Sequence, residues 1–401
     1  MPRTVPVQRA DALVIGAGVA GAAVAYHLAR RGYGRIVGLE ARIPAAGATG
    51  RAAGIVSEQL WDRWDVEVVR ETKEEYAALA ARLAPGAYRT NGFARWTADP
   101  DVAAALRART EELRSWGVEV RSLEPDGLSR VLPAARTDDL VGIAFAPTDA
   151  VVAPSTLAET YVQEGRRLGV DWQFGTPVGT LASASGLWSF TDRRAEHVAP
   201  VVVVAAGAWS KRLLAAAGFP LPLAPYRTQA AVLLPPGGAP EDLPSFHDLD
   251  TDVYGRPEEN GRLLAGDGTE HVETDPETFV PTGDEEFITH LAECFEERLP
   301  GWTDVGLVRA WAGVCVSTPD RRPLIGAVPG APGLYALTGF NGFGVMRAAG
   351  AASRLADVIA GGGAAADDRL RTVRPDRFRG PVRPFAPRDG FTLQGGDDPE
   401  F

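Results

Sequence analysis

Three glycines and one acid carry the first chemical signal in this chain. Gly16-x-Gly18-x-x-Gly21 follows a short apolar run (Ala12, Leu13, Val14, Ile15) and opens VAGAAVAYHLARRG, a stretch of helical character. In that setting Gly16 permits a tight turn, Gly18 lets the backbone approach a pyrophosphate, and Gly21 lets helix and strand pack closely. A helix beginning at Val19 and Ala20 turns free N–H groups and its positive dipole end toward the phosphates. A second apolar run, Arg35–Leu39, ends at Glu40, about 20 residues after Gly21. A carboxylate there accepts hydrogen bonds from an adenosine ribose and disfavours a 2′-phosphate. The plainer alternative is a glycine-rich turn beside an incidental acid, and strand, helix and acid together weigh against it. These forty residues leave FAD and NAD both open.

The elements that must position this loop need a large, well-packed chain. At 401 residues, two domains or one large composite are expected. The 45% hydrophobic and 23% charged content is ordinary for a globular protein. A net charge of −11 argues against a nucleic-acid partner. No run is long enough to span a bilayer, and MPRTVPVQRAD lacks an apolar signal core. The two cysteines, Cys294 and Cys315, have no metal-type spacing and suit a reducing cytoplasm. Only Lys73 and Lys211 are lysines among 41 basic residues.

Periodicity predicts helices over about 64–84, 101–116, 154–169 and 285–298, with Pro154 and Ser155 marking the start of the third. Lys73 falls on the first of these, read as a surface helix, and Lys211 near the start of another helix opened by Trp209 and Ser210. NGFARWT (91–97), TQAAVLL, SFHDLDTDVYGRP and GRLLAGD read as strands and turns. Val201–Ala206 is fully apolar, as expected of a strand buried on both faces. The stretch beyond about Arg379 is rich in Pro, Gly and charge and is expected to pair weakly or to lack a fixed structure. There is no internal repeat.

Four segments in order give the chain a family resemblance: the GxGxxG with Glu40, GATGRAAG at 47–54, VVVVAAGAWS at 201–210, and WAG…TPDRRPLIG…LTGFNGFGVM at 311–346. Over about residues 10–375 it resembles the flavoprotein amine oxidases of the D-amino-acid oxidase superfamily, nearest the glycine oxidase and sarcosine oxidase/dimethylglycine dehydrogenase branch. The resemblance implies an α/β fold (α+β overall): a glutathione-reductase-like FAD-binding Rossmann domain and a second, mainly antiparallel-sheet substrate domain. It places 10–85, 145–225 and 305–375 in the FAD domain, 86–144 and 226–304 in the substrate domain, and 380–401 in a flexible tail.

Non-covalently bound FAD is the implied cofactor. Gly16, Gly18 and Gly21 would hold the pyrophosphate, and Glu40, Ala41 and Arg42 would face the adenosine. Thr49, Gly50, Arg51, Ala52 and Ala53 would run along the pyrophosphate and flavin. Val178 would belong to the strand meeting the adenine, and Ala206, Gly207 and Trp209 would close that side. Gly313 lies in the WAG segment. Asn341 and the Gly342–Phe343–Gly344–Val345–Met346 loop would open the last helix against the flavin N1–C2=O edge, where a helix start suits developing negative charge. The resemblance also exposes departures. Where a histidine carries FAD covalently in some branches, Arg51 stands here, which excludes attachment at that position. Cys315 sits close to, but not at, the position of a flavin-linking cysteine, so a linkage and a small buried thiol remain alternatives. It also takes the place where glycine oxidases put a carboxylate-binding arginine, which weakens the case for a simple amino acid. No lysine matches the oxygen-activating one of some sarcosine oxidases, since GRLLAGD offers Leu264 there; this tilts the expectation toward a dehydrogenase or a slow oxidase.

The expected reaction takes a hydride from the carbon next to an amine (a secondary amine, an N-methyl or cyclic amino acid, or an amine-bearing natural product) and gives an imine. The protein must orient the substrate and hold any carboxylate. Arg256, in Tyr254-x-Arg256-Pro, is the candidate for that job, with pairing to Glu258 as its structural alternative. Tyr254 is a wall or hydroxyl donor, and His247 a base or a polar lining residue; His27 and His271 are read as structural or solvated. Of Trp61, Trp64, Phe93, Trp96, Phe246, Tyr254 and Phe340, some can line a wide pocket, although tryptophans at such spacing are more often core. The expected partners are a small-molecule amine and O2 or another electron acceptor, in a monomer or homodimer. Alternatives are a 2-hydroxy-acid oxidase or dehydrogenase, for which His247 would be the base, and a flavin-binding electron-transfer subunit of a complex.

Overall fold

The computed structural model describes residues 5–268, 272–302, 304–361 and 363–378. His271 and the 380–401 tail lie outside them. No helix among the described residues is long and apolar enough to cross a membrane.

Two sheets organise the chain. The first has six strands in the order Asp171–Phe174, Ile36–Glu40, Ala12–Ile15, Val201–Val204, Leu334–Thr338, Leu324–Ala327, all parallel but the last. Its central strands are buried on both faces, which is why ALVI and VVVV read as unbroken apolar runs. Ile15 pairs with Leu39 on one side and Val204 on the other. The C-terminal ends of three strands therefore meet, and the turns after them open into one crevice. The helix Val19–Arg30 packs on this sheet beside Pro154–Arg167 and Gly344–Ile359. The last of these also crosses Arg63–Leu83 closely, for a Cβ at Gly350 would lie 2.5 Å from the Val68 carbonyl oxygen.

The second sheet has nine strands along the path Val272–Glu273, Ala224–Leu234, Leu263–Gly266, Tyr254–Pro257, Ser245–Asp248, Phe93–Thr97, Gly142–Ala146 and Arg121–Ser122, with Gly306–Ser317 paired along Ala224–Leu234. It is antiparallel except where Ser245–Asp248 runs parallel to Phe93–Thr97. One face carries Trp96 stacked on Phe246 (5.5 Å between centroids) over a core that includes Leu263, Phe287 and Phe295. The other face looks toward the nucleotide crevice.

Helix boundaries fall within a residue or two of expectation and show their caps. Asp62 accepts from the Asp65 N–H at 2.8 Å to start Arg63–Leu83, and Asp99 caps Pro100–Ser115. Three features add to or depart from the sequence reading. Strand 306–317 hydrogen-bonds into the nine-stranded sheet, while its Val314 and Val316 pack in one core with Leu13, Ile15 and Val202 of the six-stranded sheet. The short strands 182–184, 187–191 and 196–199 form, with Val7–Arg9, a separate four-stranded sheet, a pairing between distant segments that the sequence does not show. Lys73 is not on the surface: its side chain is 9% exposed on the inner face of Arg63–Leu83.

Candidate active site

The crevice is a cavity of about 780 Å³ running from the Gly16 turn, past the start of Gly344–Ile359, to the face of the nine-stranded sheet. That volume lies within the usual range for a large cofactor or ligand.

At its nucleotide end, Gly16 has φ +106, and a Cβ there would come 2.5 Å from the Ala205 carbonyl oxygen. A Cβ at Gly21 would come 2.0 Å from the Gly16 carbonyl oxygen, so only glycine lets the helix reach the strand. Gly18 caps Val19–Arg30 without a side-chain bond, and no acid stands in the first turn. The Val19 N–H is partly satisfied by the Thr49 hydroxyl at 3.1 Å. Glu40 accepts from the Ala17 and Arg42 backbone N–H groups, each at 2.8 Å. A carboxylate has about four lone-pair directions, so these two bonds aim it and leave capacity for a ligand hydroxyl.

Around this end the wall is cationic. Arg42 lies 5.8 Å from the Trp209 ring. Arg51 donates to the Ala46 and Gly47 carbonyls at 2.6 and 3.1 Å and packs on Gly313, where a Cβ would come 3.2 Å from its Cδ. Burial and Arg42 lower the pKa of Arg51. Glu277 accepts from Trp209 and from Arg212, both at 2.9 Å, drawing the 275–281 segment across the opening.

At the middle, Gly344–Ile359 starts at the cavity wall with Phe343 as a cap residue that offers no side-chain bond. The turn before it is held by Asn341 (φ 54), which accepts from the Ser317 hydroxyl at 2.5 Å and the Thr318 N–H at 3.0 Å and donates to the Gly339 carbonyl at 2.6 Å. Behind it, Arg347 pairs with Asp65 at 2.8 Å in a fully buried contact, and Tyr76 donates to the Val345 carbonyl at 2.8 Å. Burial pushes Asp65 up to about 7 against the pull of Arg347. Asn341→Ala removes three bonds and places alanine in left-handed backbone. A loss of about 2–4 kcal/mol in a denaturant melt is expected.

At the far end, strand register sets a row of polar side chains. Arg95 pairs with His247 across one ladder and His247 with Tyr254 across the next, so all three face the cavity. Arg95 is 5% exposed; it donates to the Gln59 carbonyl at 2.7 Å and lies 5.1 Å from the Phe93 ring. Burial pulls its pKa down to about 10, which leaves it charged at neutral pH. His247 Nε2 is 2.7 Å from an Asp252 carboxylate oxygen. Asp252 is held there by an unusual φ of +60, and Gly268 leaves it room, since a Cβ would come 2.5 Å from Asp252 Oδ2. Burial raises the Tyr254 pKa, so the phenol keeps its proton, and the ring lies over Gly266. Tyr226 and Cys315 face each other across their ladder and also line the wall.

Of the expected cofactor residues, all line the cavity except Gly21 and Gly50. Gly50 instead permits a close approach, as its Cβ would come 2.5 Å from the Ala45 carbonyl oxygen. Val178 lies in the extended loop after Asp171–Phe174, not in a strand. Arg256 is corrected: it does not line the cavity. Its guanidinium bonds to the carbonyls of Ala53 and Pro257 and to Glu258, the alternative noted for it. Phe93, Tyr254 and Phe340 line the wall; Trp96 and Phe246 are core, Trp61 packs edge-on to Phe343, and Trp64 donates to the Arg369 carbonyl. His27 is buried beside Glu75. Arg95 and Asp252 were missed. A lone charge inside the apolar FARWT strand was the available signal for Arg95; no sequence pattern marked Asp252.

Lys73 has partners at 2.8 Å (Glu58) and 3.5 Å (Asp149). Burial alone would pull its pKa down, but Asp149 and Glu58 outweigh it and raise the pKa above that of an ordinary lysine. Its stabilisation is therefore complete below the ordinary lysine pKa and is lost as pH rises through the raised folded value. Denaturant melts from about pH 9 to pH 12 should show an alkaline loss that Lys73→Met does not share.

Comparison with known proteins gives the family and the fold. Residues 11–358 match the family model described as DAO, FAD dependent oxidoreductase. The chain is 25% identical over 393 residues to the mitochondrial dimethylglycine dehydrogenase of Rattus norvegicus, covering 92% of this chain but 45% of that protein, so it spans less than half of that relative. Among solved structures it is similar to L-proline dehydrogenase from P. horikoshii (TM-score 0.85, 22% identity, 93% of this chain and 98% of that one). It is also similar to glycine oxidase from Geobacillus kaustophilus (TM-score 0.81, 22% identity, 93% and 100%).

Proposed function

Because the chain belongs to the FAD-dependent oxidoreductase family, we propose that it oxidises a carboxylate-bearing secondary, N-methyl or cyclic amine at the carbon next to nitrogen, yielding an imine that water hydrolyses. The cavity fits FAD: a glycine turn with no room for side chains, two helix starts without side-chain caps, and arginines around the phosphate-side wall. Bound FAD supplies the hydride acceptor. The observation that carries the substrate reading is the row Arg95, His247, Tyr254 on one sheet face at the other end of the same cavity.

Arg42, Arg51 and Arg212 stand by the nucleotide end, whereas Arg95 stands by the substrate end and receives the carboxylate there. Asp252 orients the His247 ring through its 2.7 Å contact with Nε2, and His247 is the base of this reading. The imidazole takes the ammonium proton, leaving the amine lone pair available. Tyr254 donates its hydroxyl to the substrate and walls the site.

The nine-stranded sheet is the substrate domain in this reading and includes strand 306–317. The electron acceptor is O2 or another acceptor, and Cys294 and Cys315, which share no disulfide, suit the cytoplasm.

The His247–Asp252 pair also favours a second reading, a 2-hydroxy-acid substrate whose alcohol proton His247 would take. The test is the visible absorbance of the purified protein without oxygen, before and after proline, sarcosine, pyrrolidine or lactate. Bleaching by the amino acids is the expected result, and bleaching by lactate alone gives the second reading. A protein without flavin would sink both.

A further inference from the structure

Between the helix Arg63–Leu83 and the cavity wall lies a buried cluster of charge. Lys73 is bracketed by Glu58 (2.8 Å) and Asp149 (3.5 Å), and Glu58 also takes Arg70 at 2.9 Å. Asp149, 1% exposed, accepts from the Ser57 hydroxyl at 2.6 Å, the Glu58 N–H at 3.1 Å and the Gln59 side-chain amide at 3.4 Å. Each residue of 57–59 is thus tied to one carboxylate. The Gln59 amide also donates to the Phe93 carbonyl at 3.0 Å, and the Gln59 carbonyl accepts from Arg95 at 2.7 Å. Lys73, Glu58, Gln59 and Asp149 do not line the cavity, while Ser57 and Arg95 do.

The residue type is informative. Two of 41 basic residues are lysines, and one of them is here. An ammonium is a compact point charge that two carboxylates can bracket, whereas a planar guanidinium presents five donors in a fixed fork and needs more partners in the same space. Removing that charge leaves Asp149 and Glu58 buried as close like charges, which favours protonation or movement of one of them. Either change loosens 57–59 and the carbonyl that anchors Arg95.

We propose that Lys73 is a positioning residue for substrate recognition: by holding Asp149 and Glu58 it fixes segment 57–59, and through the Gln59 carbonyl it sets the guanidinium of Arg95. The inference rests on the reading of Arg95 as the carboxylate receptor.

The experiment titrates flavin-loaded protein with pyrrole-2-carboxylate, which has no hydride to give, and with neutral pyrrole. It compares wild type, Lys73→Met, Arg95→Gln and the double variant by calorimetry, with flavin content as a control. Arg95→Gln is expected to weaken the carboxylate about 100-fold. Lys73→Met should weaken it about tenfold in the wild-type background and not at all beside Arg95→Gln, with pyrrole binding and flavin content unchanged. Glu58→Gln, which keeps the shape of the cluster, should shift affinity in the same direction by less and serves if Lys73→Met does not fold. Unchanged carboxylate affinity in Lys73→Met, with only a lower melting temperature, overturns the proposal; so does an equal loss in both backgrounds. If Arg95→Gln binds as wild type does, or wild type does not distinguish the two probes, the Arg95 reading fails and takes this inference with it.

Discussion

Gly21→Ala is expected to yield protein with almost no bound flavin. The added methyl would sit 2.0 Å from the Gly16 carbonyl oxygen, and that atom is backbone in a turn that cannot yield without moving. The turn is itself pinned, since Gly16 has φ +106 and its N–H donates to the Leu39 carbonyl at 2.8 Å. The helix Val19–Arg30 must therefore shift outward by an ångström or so, taking its first N–H groups away from the phosphates. Those groups act over hydrogen-bond distances, so such a shift forfeits most of their contribution. A fall of about 100-fold or more in FAD affinity is expected. The ratio of flavin to protein absorbance after desalting reads it directly. A variant that keeps its flavin would mean the helix start contributes little to cofactor binding.

Arg95→Gln should have the second largest effect, and on a different quantity. The guanidinium is buried and charged at neutral pH, and glutamine keeps a donor for Gln59 while losing the fork and the charge. A charge-assisted bidentate contact in such a site accounts for about 2–3 kcal/mol, or roughly 30- to 150-fold in affinity. Anaerobic bleaching should therefore need much more proline in the variant, while pyrrolidine should bleach both proteins alike. Arg95→Lys restores the charge without the fork and should recover part of the loss. Equal losses for proline and pyrrolidine would instead point to a general collapse of the pocket. Arg256→Gln gives the contrast: its guanidinium does not line the cavity and is engaged by Glu258 and the carbonyls of Ala53 and Pro257, so it should cost stability more than substrate affinity.

These two residues also mark what could be read in advance. Gly21 was legible because its role is local. A glycine two residues into a helix, after a strand and a tight turn, reports a close approach between neighbours in the chain, and Glu40 is fixed by the next strand of the same unit. The apolar runs 12–15 and 201–204 likewise announced strands buried on both faces, and helical periodicity, with Pro154 and Ser155 at one start, set helix starts to within a residue or two.

Arg95 was not legible, because its meaning depends on register between strands far apart in sequence. Only the pairing of 95 with 247 and of 247 with 254 makes a row of them. Arg256 failed as a candidate for the same reason: a carboxylate two residues along and a carbonyl from residue 53 claim its guanidinium, and the second of these is brought there only by the fold. Lys73 read as a surface lysine because helical periodicity gives which residues share a face, not what that face meets. The sequence by itself determined the nucleotide turn, its acid, the strands that carry them and the family they belong to, all consequences of contacts between near neighbours. Which charged residues face the far end of the cavity, and which are consumed in buried pairs, was decided by tertiary packing alone, since a buried charge takes its partner from whatever the fold sets beside it.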